Sequence, residues 1–154
     1  MKKAWMLFLL GILLVGCGTR GKVPANEPAE ETSGKGSGGI VAGEIEASLT
    51  EQDTFLFEYE VKNQTEKEVT LEFTSSQRFD YSVSTKDGKE LFLFSSVASF
   101  LQVLGTETIK QGESLTYEID LTDLNLEKGQ YLLSAWMTPQ DGPKYKTTTH
   151  FTVE

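Results

Sequence analysis

The 154-residue chain contains one histidine, His150, and one cysteine, Cys17, and these counts remove most catalytic chemistry before any fold is considered. A Ser-His-Asp relay needs a histidine beside an activated serine. His150 instead lies on the even-numbered face of a threonine-rich stretch with Thr148 and Thr152, where it is expected to meet solvent, and no G-x-S-x-G elbow occurs. A zinc site would need more His or Cys ligands than exist. Asp120 and Asp123 invite comparison with a calcium loop but lack its regular ligand spacing, so they read as carboxylates facing water. No catalytic residue, metal or cofactor is therefore expected.

Recognition chemistry is better represented. Ser75, Ser76, Gln77, Arg78 and Asp80 form a polar segment between apolar stretches, and Phe100, Leu101 and Gln102 form an apolar one with an amide beside it. Two readings of the first segment stand side by side. In one, serine and glutamine side chains bond to backbone at a strand end and Arg78 pairs with a carboxylate. In the other, the same groups form a recognition edge. Trp136 and Tyr145 offer rings on which a sugar could stack, although Leu132 shares the face of Trp136, and a central strand apolar on both sides gives the same letters.

The elements that must position these residues are strands. Phe55, Phe57, Tyr59 and Val61 alternate with Glu58, Glu60 and Lys62, the period-two pattern of a half-buried strand. After Asn63-Gln64-Thr65 the alternation resumes in Val69, Leu71 and Phe73, and the two segments are expected to pair as a hairpin. Phe79, Tyr81 and Val83 lead through Lys86-Asp87-Gly88-Lys89 into Leu91 to Phe94, a second hairpin, because Asp-Gly takes the positive backbone angles of a tight turn. Leu115, Tyr117, Ile119 and Leu121 share one face of a later strand; Tyr131, Leu133, Ala135 and Met137 share one face of the next, and a last strand runs from about Tyr145 to Val153.

Short strands with turns roughly every 8 to 12 residues predict an all-β fold, an antiparallel immunoglobulin-like β-sandwich of about seven to eight strands. Gly129-Gln130-Tyr131 resembles the tyrosine corner of such sandwiches. One stretch departs from the pattern. Val97, Phe100, Leu101 and Leu104 sit at helical spacing, so Ser95 to Gly105 is expected to form a short helix or a compact crossover loop whose apolar residues cap the open end of the sandwich.

The chain start has a different character. Lys2 and Lys3 precede an apolar run from Met6 to Val15, shorter than the ~20 residues that span a bilayer and suited to an export signal. Leu14-Val15-Gly16-Cys17 resembles the lipobox of bacterial lipoproteins, which implies cleavage after residue 16 and acylation of Cys17. Two acyl chains, at ~0.8 kcal/mol per buried CH₂, would make the attachment stable. Residues 17–39 are rich in Gly, Ser, Pro and charge, with too little apolar surface to order themselves, and read as a disordered linker. Residues 40–154 are then one domain on the extracytoplasmic face of the membrane, without disulfides because Cys17 is the only cysteine.

The chain carries 14 Lys and Arg against 23 Asp and Glu, a net charge of −9; losing Lys2 and Lys3 with the leader takes it to −11, 12 bases against 23 acids. Such a protein is poorly suited to nucleic acid or to direct adsorption on anionic lipid.

Taken together, Phe57 to Thr65, Val69 to Tyr81 with its Ser75-Ser76-Gln77 core, Phe100-Leu101-Gln102, Gly112-Glu113-Ser114 and Gly129-Gln130-Tyr131 resemble the bacterial intracellular proteinase inhibitor family, BsuPI, over roughly Thr54 to Thr138. Where many members carry a tryptophan, this chain reads Phe92-Leu93-Phe94. The resemblance implies an immunoglobulin-like sandwich and binding to a subtilisin-type serine proteinase. A rigid exposed loop would have to enter such an enzyme, and Ser95 to Gly105, with Phe100, Leu101 and Gln102, is the best-placed segment. The alternative function is a non-inhibitory envelope assembly or adhesion module that binds another envelope protein.

Overall fold

The computed structural model describes residues 43–154, so the leader, Cys17 and the linker lie outside the described residues. Nine strands follow in order: β1 (Ile45–Asp53), β2 (Leu56–Asn63), β3 (Val69–Phe73), β4 (Phe79–Thr85), β5 (Glu90–Leu93), β6 (Gly105–Ile109), β7 (Ser114–Asp120), β8 (Gly129–Met137) and β9 (Lys144–Val153). All pairings are antiparallel. One sheet is ordered β1-β2-β7, a second β5-β4-β8-β9, and β3 pairs with β6 in a two-stranded ribbon.

The fold is the all-β sandwich expected from the alternation, with two strands more than the seven legible in the sequence. The additional strands are β1 and β6. Neither advertises itself: β1 is half-buried or exposed throughout, and β6 is Gly-Thr-Glu-Thr-Ile, with one buried residue.

Faces were legible where one side of a strand is buried. Phe57, Tyr59 and Val61 of β2, Leu71 and Phe73 of β3, and Tyr131, Leu133, Ala135 and Met137 of β8 all enter a single core. The core joins the two larger sheets through aromatic edges, with Phe57 5.5 Å from Phe151 in a T-shaped pair and Tyr59 6.3 Å from Phe79. Aromatic pairs of this kind add to the burial of their area. Tyr131 closes a corner as expected, its hydroxyl donating to Glu127 O at 2.6 Å. The β4–β5 hairpin also forms. Gly88 takes φ +88° in its turn, and Thr85 N–H donates to Lys89 O at 2.9 Å.

The expected β2–β3 hairpin does not form. The side chain of Asn63 is fully buried at the end of β2, where its Nδ2 donates to Lys67 O at 2.7 Å and Ile109 O at 2.8 Å. Its Oδ1 accepts from both the backbone N–H and the hydroxyl of Thr65. The Asn63 backbone is bonded to the β6–β7 connection, through Glu113 O and Gly112 N. Its polar groups are thus satisfied partly by the turn after β2 and partly by the end of β6 and the β6–β7 connection, and β3 pairs with β6 while β7 takes the place beside β2.

Of the two forms expected for Ser95 to Gly105, a short helix or a loop between sheets, the loop is the one observed. A single 3₁₀ turn covers Phe94–Ser96, and the chain from Ala98 to Leu104 has no regular structure.

Candidate functional site

Polar residues after β3 end its ladder by offering the backbone other partners. Gln77 N–H donates to Ser75 Oγ at 3.2 Å, and Gln77 Nε2 to Phe79 O at 3.3 Å. Arg78 then folds back across the β3–β6 ribbon. Its Nη1 donates to Ser75 O at 2.8 Å, its Nε forms an ion pair with Glu107 Oε1 at 2.8 Å, and its Cζ stands 4.6 Å from the centre of the Phe73 ring. The guanidinium also lies against Gly105. A Cβ built on that glycine would be 3.0 Å from Arg78 Cζ and closer still to Nη2, so only glycine fits at this point beside an unmoved Arg78.

Ser76 and Asp80 reach the loop between β5 and β6. Ser76 N–H donates to Leu101 O at 2.8 Å, and Leu101 N–H donates back to Ser76 Oγ at 2.9 Å. Asp80, only 6% exposed, accepts at Oδ1 from Ser95 N–H at 3.0 Å and from Tyr81 N–H at 2.9 Å. Carboxylate acceptors make stronger bonds than neutral ones, so this contact fixes the loop where it leaves β5. A run of rings supports the same end. Phe79 stacks on Tyr117 at 4.6 Å, Tyr81 on Phe94 at 4.9 Å, and Phe100 meets Phe94 edge-on at 5.8 Å.

The structure therefore brings together the two segments singled out in the sequence. Ser75, Ser76, Arg78 and Asp80 are the brace, Gln77 shapes its turn, and Phe100, Leu101 and Gln102 belong to the loop that is braced. The backbone-bonding account of the first segment is the observed one. The expectation that Ser95 to Gly105 caps the open end of the core is corrected. Phe100 is half-buried on Phe94, but Val97 is 67% exposed, Leu101 74% and Leu104 81%. Sequence reasoning missed Glu107 and the close approach at Gly105. Its one available signal was an apolar run in a segment bounded by polar residues.

The remaining candidates do not assemble into a chemical site. His150 is exposed with Thr148 and Thr152 on β9. Asp120 Oδ1 accepts from the N–H and hydroxyl of Thr122, and these bonds lower its pKa. Among the described residues, no three His, Cys, Asp or Glu side chains are grouped to hold a metal. Tyr145 packs against the core and its carbonyl accepts from Tyr59 Oη, whereas Trp136 lies on the other side of its sheet under Lys146 Nζ at 5.4 Å, so the two rings make no common platform. Near the brace, burial chiefly, with Glu107 close by, pushes the Tyr117 phenol up to about 12. No helix among the described residues is long and apolar enough to cross a membrane.

Among curated proteins none matches the chain. The family model described as BsuPI, intracellular proteinase inhibitor, matches residues 44–142, which include β1 to β8, the brace and the whole loop. With more than half of its length matched, the chain belongs to the BsuPI intracellular proteinase inhibitor family.

Proposed function

We propose that this chain is an exported lipoprotein whose sandwich domain binds and blocks a subtilisin-type serine proteinase through the Ser95–Gly105 loop, with no enzymatic activity of its own. Membership of an inhibitor family supports the proteinase partner. The observation that carries the choice of surface is the exposed apolar loop held from below by Asp80 and Ser76, with the Arg78 guanidinium against its end at Gly105. Inhibitors that enter an enzyme's cleft gain affinity from rigidity, because ordering a loose loop on binding opposes association. Many small inhibitors obtain that rigidity from disulfides; here hydrogen bonds to a buried strand end serve instead. The apolar leader and the Leu14 to Cys17 motif support lipid attachment at Cys17 and a place on the extracytoplasmic face of the cell membrane.

The test is direct. The full chain, purified in mild detergent, is titrated into a subtilisin-type proteinase, and hydrolysis of a small chromogenic substrate is followed. Progressive loss of activity is expected. No slowing even at roughly 100 μM, weaker than any useful inhibitor, would leave the envelope-binding alternative as the better account.

A further inference from the structure

The apolar loop does not offer all its residues equally. A segment that enters a proteinase cleft as a substrate does must leave the backbone of its pocket-filling residue free, because the enzyme bonds to that residue's N–H and C=O. Leu101 fails this condition despite its exposure. Its N–H is given to Ser76 Oγ, and its carbonyl accepts from Ser76 N–H and from Val103 N–H at 3.0 Å. Docking Leu101 in this way would break the brace.

Leu104 meets the condition. It is the most exposed large apolar residue among those described, at 81%, and neither its N–H nor its carbonyl bonds to any described residue. Gln102 is equally free, while Val103 turns its N–H inward to Leu101. The bond from Val103 N–H to Leu101 O closes a three-residue turn about Gln102, and Leu104 follows that turn with both of its backbone groups open to a partner. Both flanks are fixed. Leu101 is tied to Ser76, and Gly105 is paired with Phe73 under the Arg78 guanidinium. Three residues held at both ends retain little freedom to lose on binding.

From this geometry we infer that Gln102-Val103-Leu104 is the presented segment and that Leu104, not Leu101 or Phe100, fills the primary pocket of the proteinase. The inference rests on the inhibitory reading above and specifies it: the enzyme is one whose pocket accepts a large aliphatic side chain.

A pocket-residue exchange separates the two claims. Leu104→Arg and Leu101→Arg are each made in the full chain, purified in mild detergent, and assayed against two subtilisin-fold proteinases, one with an apolar pocket and one with an acidic pocket that takes arginine. Leu104→Arg is expected to weaken inhibition of the first enzyme by about 100-fold, since an unpaired charge would enter an apolar pocket, and to strengthen inhibition of the second by a similar factor. Leu101→Arg should not strengthen inhibition of the second enzyme. Melting temperatures should stay at the wild-type value in both variants, because both side chains face solvent. If Leu104→Arg stays within about threefold of wild type against both enzymes, or if the gain appears in Leu101→Arg instead, the assignment of Leu104 is wrong while the inhibitory reading stands. Failure of the wild-type chain to slow the first enzyme removes both.

Discussion

Replacing Gly105 by alanine tests the brace at its tightest point. The three atoms nearest the added Cβ all belong to the Arg78 guanidinium, so the arginine must move. Its bond to Ser75 O has a charged donor but a partly exposed one and is worth ~1.5 kcal/mol. The half-exposed pair with Glu107 adds ~0.5 kcal/mol, and the approach to the Phe73 ring a further ~0.5 kcal/mol. Against this loss of roughly 2.5 kcal/mol stands a gain of ~0.5 to 1 kcal/mol, because alanine restricts the unfolded chain at a position whose φ it tolerates. The net expectation is a destabilisation of ~1.5 to 2 kcal/mol, or about 6 to 8 °C in Tm for a domain of this size. The assay is urea and thermal unfolding of wild type, Gly105→Ala, Arg78→Ala and the double variant. With Arg78 already gone, the three atoms nearest the added Cβ are gone with it, so Gly105→Ala should there be neutral or slightly stabilising, and the coupling between the sites should be about 2 kcal/mol. Equal costs of Gly105→Ala with and without Arg78 would refute the proposed contact.

Asn63→Asp keeps the size of the side chain but sets an oxygen against the carbonyls of Lys67 and Ile109, so urea denaturation should show a loss of ~3 kcal/mol; a change below ~1 kcal/mol would mean that the buried amide is not what turns the chain. Stability should also fall in alkali. Burial foremost raises the phenols of Tyr59, Tyr81 and Tyr117, the last to about 12, while unfolded phenols ionise near ~10. Their contribution is complete below pH ~10 and is lost as pH rises toward 12, and a stability that stays level through that window would contradict their placement. At the chain start, Cys17→Ser should abolish incorporation of labelled fatty acid and membrane retention; unchanged labelling would disprove the assignment of the acylated residue.

The site was legible in parts and illegible as a whole. Ser75 to Asp80 stood out because polar residues interrupt apolar alternation, and Phe100 to Gln102 because apolar residues lack strand periodicity. Their union depends on bonds such as Ser76 with Leu101 and Arg78 with Glu107, between residues 25 and 29 positions apart, which leave no local pattern to read. The exposure of Leu101 and Leu104 was hidden for a related reason. Apolar residues three and four apart fit one face of a helix, but spacing does not reveal whether the backbone has partners that hold it in another form.

By itself the sequence determined which face of β2, β3, β4 and β8 enters the core, the turn at Gly88, the tyrosine corner at Tyr131 and the all-β class, because period-two burial and turn chemistry are properties of adjacent residues. Only the tertiary structure decided that β2 lies beside β7 and not β3, that Ser95 to Gly105 stands outward and not over the core, and that Leu104 keeps its backbone free. Alternation records that one face is buried without naming the neighbour that buries it. Which neighbour wins is settled by long-range satisfaction of buried polar groups, Asn63 in one case and Asp80 in the other.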